Sequence, residues 1–325
     1  MKLLTNFPVY EGWLDQYGGL DNLARDCAEL GLDGLEIVWG EDDSVSNPPP
    51  SDIVVGYHLL FFSTWVDFWQ GDEAALLAEF GTWDAVRTCY GAETRAQLVS
   101  RFRRDLQRAI DLGAEYAVFH ASDVLMRECF TYEFSHTDRQ VCDCVCELVN
   151  ELFDGVSADI ALLLENQWWP GLTFCDPAIA QRLLDGIEYD NVGFMLDTGH
   201  LMNTNTSLRS QAQAARYIRD RYDSLGPLRE RIWGLHLHQS LSGEYVERTR
   251  GIVPADFVGS YEERFATNYS HVLKIDRHEP WSDPVVADVV RHISPTWVNN
   301  ELAGGSREQR LANLRTQLAA LGIDR

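Results

Sequence analysis

Residues 191–200 read NVGFMLDTGH, and the reading of this stretch decides the fold. Its apolar run does not alternate with polar residues, as a strand buried on both faces of a parallel sheet requires. It stops at a carboxylate, Asp197, followed by Thr198, Gly199 and His200. The same signature recurs outward in both directions. Upstream are 159–165 (DIALLLE), 114–120 (AEYAVFH), 52–58 (DIVVGYH), 33–38 (DGLEIV) and 2–6 (KLLTN); downstream are 231–238 (RIWGLHLH) and 296–301 (TWVNNE). Between them lie helical patterns. Residues 19–30, 93–112 and 306–321 repeat apolar side chains at helical spacing, and weaker patterns lie near 137–153, 176–185, 208–223 and 283–293. Eight strands alternating with helices predict a single α/β domain over 1–325, a (β/α)8 TIM barrel. Three stretches interrupt the rhythm as long βα-loop insertions: the proline-rich 40–51, the Trp- and Phe-rich 61–90, and the mixed 241–275. Each follows a strand, so each belongs on the barrel's C-terminal face, where long loops wall or close active sites.

The 325 residues suit either two average domains or one barrel with insertions. With 50 acidic and 27 basic residues, the net charge of −23 repels phosphate backbones and disfavours duplex DNA as a partner. Only Lys2 and Lys274 are lysines, so chemistry built on a catalytic lysine has one plausible residue, Lys274. No apolar run is long enough to span a membrane, and the N-terminal residues lack the apolar core of a secretory signal, so the expectation is a reduced, cytoplasmic protein acting on a small molecule. Oligomeric state stays open. Of the seven cysteines, Cys142, Cys144 and Cys146 invite a metal reading, but on a helix Cys144 points away from the other two, and core packing is expected.

The strand ends carry the chemistry. His58, His120, Glu165, Asp197, His236 and Glu301 end successive strands, His200 follows Asp197, and Asp276 and His278 stand in KIDRHEP before the last strand. Strand ends of such a barrel converge on one pocket. Imidazole and carboxylate are ligands for zinc, manganese and iron. Nine such groups exceed what one ion needs and suggest a cluster bridged by a carboxylate. His238 is expected to be supporting, and Glu36 is at least as readily structural as substrate-facing. Trp168 and Trp169, and Phe61, Phe62, Trp65 and Trp69, follow strand ends, and at least one of the two groups is expected to wall a pocket.

The ordered motifs LLLEN, MLDTGH, LHLHQS, IDRHE and NNELAG resemble the xylose isomerase-like TIM barrel superfamily, which includes AP endonuclease family 2. The ligand pattern is most similar to the endonuclease IV branch. That resemblance implies three metal positions, with zinc the first expectation and manganese or iron the alternatives. His58, His120 and Glu165 would hold one ion; Glu165, Asp197, His236 and Glu301 a second; His200, Asp276 and His278 a third. Close metals lower the pKa of a shared water, and a third clamps an anionic group. Since the basic loops that grip DNA are not evident, hydrolysis of a small phosphorylated or anionic substrate is expected, with Arg277 as a candidate anion contact. The alternative is a sugar isomerase or epimerase with one metal and a Glu165/Glu301 proton-transfer pair. A multinuclear iron oxidase is a third possibility.

Overall fold

The computed structural model describes residues 1–39 and 50–323; most of the expected 40–51 insertion lies outside the described residues. Eight strands, β1 (Lys2–Pro8), β2 (Gly34–Val38), β3 (Val54–His58), β4 (Tyr116–His120), β5 (Ala161–Glu165), β6 (Val192–Asp197), β7 (Ile232–His236) and β8 (Trp297–Asn300), close in sequence order into one barrel. Each is parallel to its neighbours, and β8 returns to β1.

Side chains alternate along each strand, and the two faces find different partners. Leu4, Val55, Tyr116, Val118, Ala161, Leu163 and Met195 fill the barrel interior. Leu35, Ile37, Tyr57, Phe119, Leu162, Leu164, Phe194, Leu196, Leu235 and Val298 belong to the larger core beneath the helices. Burying each of these large side chains contributes roughly 1.5–3 kcal/mol. Two residues beyond an interior apolar side chain comes an expected ligand: Val118 precedes His120, Leu163 precedes Glu165 and Met195 precedes Asp197. Pairing register sets His120 beside Glu165 and Asp197 beside His236.

The helices predicted from periodicity are present within a few residues, including Leu20–Leu30, Arg95–Asp111, Asp138–Phe153 and Arg307–Ala320. The insertions are more ordered than loops. Residues 61–90 contain helices Val66–Gln70, Glu73–Phe80 and Trp83–Tyr90, and 241–275 contains Gly243–Thr249 and Tyr261–Val272. β7 ends at His236 rather than at the expected 238: Leu237 N makes the last bond to β8, at Asn299 O (2.8 Å), and Gln239 N turns away to Glu279 O (2.8 Å). Cys142, Cys144 and Cys146 are buried in the core, as packing predicts.

Candidate metal centre

The strand ends bring the predicted ligands together in three adjoining groups. His58 Nε2 and His120 Nε2 lie 3.0 Å apart, and each is 3.3 Å from Glu165 Oε2. On the other side of that carboxylate, His236 Nδ1 is 3.3 Å from Glu165 Oε2, 2.9 Å from Glu301 Oε2 and 3.8 Å from Asp197 Oδ2. Bonds of about 2.0–2.1 Å to a tetrahedral zinc separate its nitrogen and oxygen ligands by roughly 3.3 Å. The observed spacings bracket that value, so both groups have the dimensions of a coordination shell.

The third group is assembled by a short helix and a loop. Asp197 caps the helix Thr198–Asn203, accepting from His200 N (2.6 Å), which fixes the His200 ring over Glu165, with Nδ1 3.1 Å from Oε1. His200 Nε2 is 3.2 Å and His278 Nε2 2.6 Å from Asp276 Oδ2. His278 adopts a left-handed backbone (φ 47°), an uncommon conformation for a side-chain-bearing residue. It is held by its Nδ1 beside Glu301 O (3.1 Å) and by Ala303 N donating to its carbonyl (3.0 Å). The structure adds His238 to this group. Its ring stacks on His278 (centroids 4.0 Å apart, planes 6° apart), and its Nε2 is 2.9 Å from Asp197 Oδ2. A Cβ at position 199 would overlap this imidazole, so Gly199 of the DTGH motif makes room for it.

Several of these atoms have no hydrogen bond. Glu165 Oε2, His236 Nδ1, Glu301 Oε2 and His238 Nδ1 are buried without a hydrogen-bond partner among the described residues, although oppositely polarised atoms lie within ion-pair distance of the first three. Buried polar atoms are almost always paired. Close approach without hydrogen-bonding geometry is what ligands around a cation require, so the residues fit a divalent metal. Glu36 fixes one of them from behind: His236 Nε2 lies 3.0 Å from its carboxylate, which also accepts from Tyr116 Oη (2.7 Å) and Asn299 Nδ2 (2.8 Å). This leaves Nδ1 of His236 for the cluster, the arrangement by which a carboxylate orients a metal-binding imidazole.

Four carboxylates, Glu165, Asp197, Asp276 and Glu301, sit here among six imidazoles, all deeply placed. Burial pushes Glu165 up, but the charges of His120 and His236 outweigh it and hold the carboxyl well below its usual range. Burial is overcome similarly at Glu301 by His236 and at Asp276 by His278 and His200. Reciprocally, against burial, Glu301, Glu36 and Glu165 raise His236, Asp197 and Asp276 raise His200, and Asp276 pushes His278 up to about 10. His120 differs, since burial prevails there and lowers it. Ligand imidazoles bind a cation in their neutral form, so binding of an ion there is coupled to pH.

Above the ligands opens a cleft of about 550 Å³. Trp168 and Trp169 line it, as do Phe61 and Phe62, whereas Trp65 and Trp69 are buried in packing. Arg277 does not line it; its guanidinium pairs with Glu279. No lysine or arginine is found among the described lining residues.

A family model for the xylose isomerase-like TIM barrel matches residues 24–294. The chain belongs to that family. No curated protein matches its sequence. Among solved structures, this xylose isomerase-like barrel is similar to a D-tagatose 3-epimerase-like protein (TM-score 0.56, 15% identity, 99% of this chain and 98% of that one). It is also similar to an L-ribulose 3-epimerase (TM-score 0.52, 12% identity, 99% and 93%). A third is the D-psicose 3-epimerase of Clostridium cellulolyticum H10, solved with D-tagatose (TM-score 0.51, 14% identity, 99% and 98%). At these identities the likeness is one of fold. No helix among the described residues is long and apolar enough to cross a membrane.

Proposed function

We propose that the chain is a divalent-metal-dependent isomerase or epimerase of an uncharged, sugar-like substrate, with Glu165 and Glu301 as its proton-transfer pair. The observation that carries this reading is the pairing of two carboxylates from different strand ends about one histidine, beside a cleft with no lysine or arginine in its described lining. A phosphorylated substrate would meet no lysine or arginine there, and Arg277, the expected anion contact, is engaged by Glu279. This favours isomerisation over hydrolysis of a small anionic substrate. Three epimerase or epimerase-like proteins among the similar folds support the same choice.

Glu165, Asp197, His236 and Glu301 would hold the ion, which supplies polarisation of a substrate oxygen and so acidifies the adjacent C–H. One carboxylate takes the proton from that carbon, and the other returns a proton to the opposite face. Exchange with water resets the pair. Glu36 keeps His236 in register throughout. The test is incubation of the metal-loaded enzyme with ketoses in deuterium oxide. Formation of an epimer or isomer with deuterium at the reacting carbon is expected, and its loss in both Glu165→Gln and Glu301→Gln.

One observation favours a second reading, hydrolysis by a metal cluster: the group of His200, His238, Asp276 and His278 adjoins the other two and has no duty in a one-metal isomerase. About three ions per chain together with phosphoester cleavage, and no deuterium incorporation, would transfer the assignment to it.

A further inference from the structure

We infer that the substrate carries a flat, uncharged apolar group, such as an aryl substituent, beside the oxygen-bearing part that reaches the metal ligands. This rests on the proposed reaction only for the chemistry of that polar part. The cleft is too large for a bare sugar. Even at ~30 Å³ per non-hydrogen atom, water's share of liquid volume, the dozen or so atoms of a hexose would fill about two-thirds of 550 Å³.

The remaining wall is aromatic. Helix Tyr261–Val272 presents Tyr261, Phe265 and Tyr269 along one face of the cleft at four-residue spacing. Phe265 and Tyr269 lie nearly parallel (10°, centroids 5.8 Å apart), and Tyr261 and Phe265 are 27° apart at 6.0 Å, which makes a continuous row of aromatic rings. Phe265 is 44% exposed and Tyr269 53%, and Phe61 across the mouth is 49% exposed, whereas Trp168 and Trp169 are each 7% exposed. Large apolar side chains are exposed at the mouth while the deeper ones are covered, so the entrance offers apolar surface that a ligand would remove from water. Its continuity with the metal-ligand groups points to a substrate rather than to a separate partner. The described lining holds no lysine or arginine and its exposed side chains at the mouth are aromatic, so the additional group is uncharged. A planar ring fits the ladder better than a branched chain because it stacks over the offset ring faces.

The probes are 1-O-benzyl-D-fructose, D-fructose and D-fructose 1-phosphate, titrated into the full-length metal-loaded protein by calorimetry. The benzyl ether is expected to bind at least tenfold more tightly than D-fructose, which corresponds to ~1.4 kcal/mol. Phe265→Ala and Tyr269→Ala, both at exposed positions, should reduce that preference and leave D-fructose affinity unchanged. Equal affinity for the benzyl ether and the bare ketose, or preference for the phosphate, overturns the inference. It is also overturned if the two substitutions change only the sedimentation behaviour, since the aromatic face would then serve contact between copies of the chain. Deuterium incorporation is measured on the same samples. Selective benzyl binding without exchange sustains the aryl site and removes the isomerase reading. Exchange on D-fructose with no benzyl preference does the reverse.

Discussion

Two sets of buried histidines and carboxylates occur in this barrel, and they are wired in opposite ways. His136, outside the cleft, ties the segment after β4 to the 61–90 insertion. Its Nδ1 is 2.9 Å from Asp123 Oδ2 and its Nε2 3.1 Å from Asp67 Oδ1, so both ring nitrogens are used. Asp123 Oδ1 further accepts from Trp65 N (2.6 Å) and Val66 N (3.0 Å), which pins the start of the helix Val66–Gln70. At the strand ends, in contrast, His236 Nδ1 and the nearest carboxylate oxygens, Glu165 Oε2 and Glu301 Oε2, have no hydrogen bonds. His136, held at both nitrogens by carboxylates away from the cleft, is a fastener. Unsatisfied imidazole and carboxylate atoms a coordination edge apart mark a place for a cation.

The sharpest test of that contrast is Glu165→Gln. It removes the charge on which His58, His120, His200 and His236 converge. Metal content should collapse, and any proton-transfer rate should fall by about 10²–10⁴-fold, the usual contribution of a positioned acid or base. Elemental analysis of tag-free protein and the deuterium assay read both. His136→Gln should leave metal content unchanged; if it empties the cleft ligands of metal, the division into fastener and ligand set is wrong.

The alternation of strands explains why so much of this was readable. An apolar run that ends in His or a carboxylate carries that side chain to the barrel mouth, and all nine expected ligand positions are gathered there. Glu36 was harder. It lies within GLEIV rather than at the run's end, and nothing local distinguishes a carboxylate that orients His236 from one that merely packs. The order of 61–90 was also obscured, because glycines at 71, 81 and 91 divide it into helices of five to eight residues, too short for a clear period. Arg277 misled for the opposite reason: adjacency to Asp276 and His278 in sequence put it at the site, while its guanidinium pairs with Glu279.

Glu36→Gln tests the next level of the comparison, since it affects the proposed ligand His236 only through the far nitrogen of its ring. Affinity for zinc or manganese is expected to fall about 10–100-fold, the common effect of losing such a support, with the melting temperature little changed. Calorimetric metal titration measures it. An unaltered affinity would reduce Glu36 to packing.

The fastener has its own signature in pH. Hydrogen bonds to Asp123 and Asp67 push His136 up to about 10, against an ordinary value of about 6.5. A group whose folded pKa is raised contributes stability that is full below pH 6.5 and is lost as pH rises towards 10. Thermal stability of the native protein should therefore decline across that window by more than that of His136→Gln. The substitution itself should cost about 1–3 kcal/mol at neutral pH, because it leaves buried carboxylate acceptors poorly paired. Denaturant unfolding at pH 6 and pH 9.5 checks both, and parallel pH profiles for the two proteins would remove His136 from the account.

The smallest effect is expected at Arg277. Its side chain is substantially exposed and paired with Glu279, two residues along the chain. Exposed pairs of this kind contribute about 0–1 kcal/mol, so Arg277→Ala should change stability by no more than that. It should also leave substrate affinity unchanged, because the guanidinium is not part of the cleft wall. A small anion held by the protein would behave differently, since loss of a charge-assisted contact costs roughly 1.5–3 kcal/mol. Affinities of D-fructose and D-fructose 1-phosphate for the native and substituted proteins therefore separate the two proposed reactions at a residue that touches neither Glu165 nor Glu301. A selective loss of phosphate binding in Arg277→Ala would mean that Arg277 turns from Glu279 to the substrate, and would restore the anionic substrate that the metal-cluster hydrolase requires.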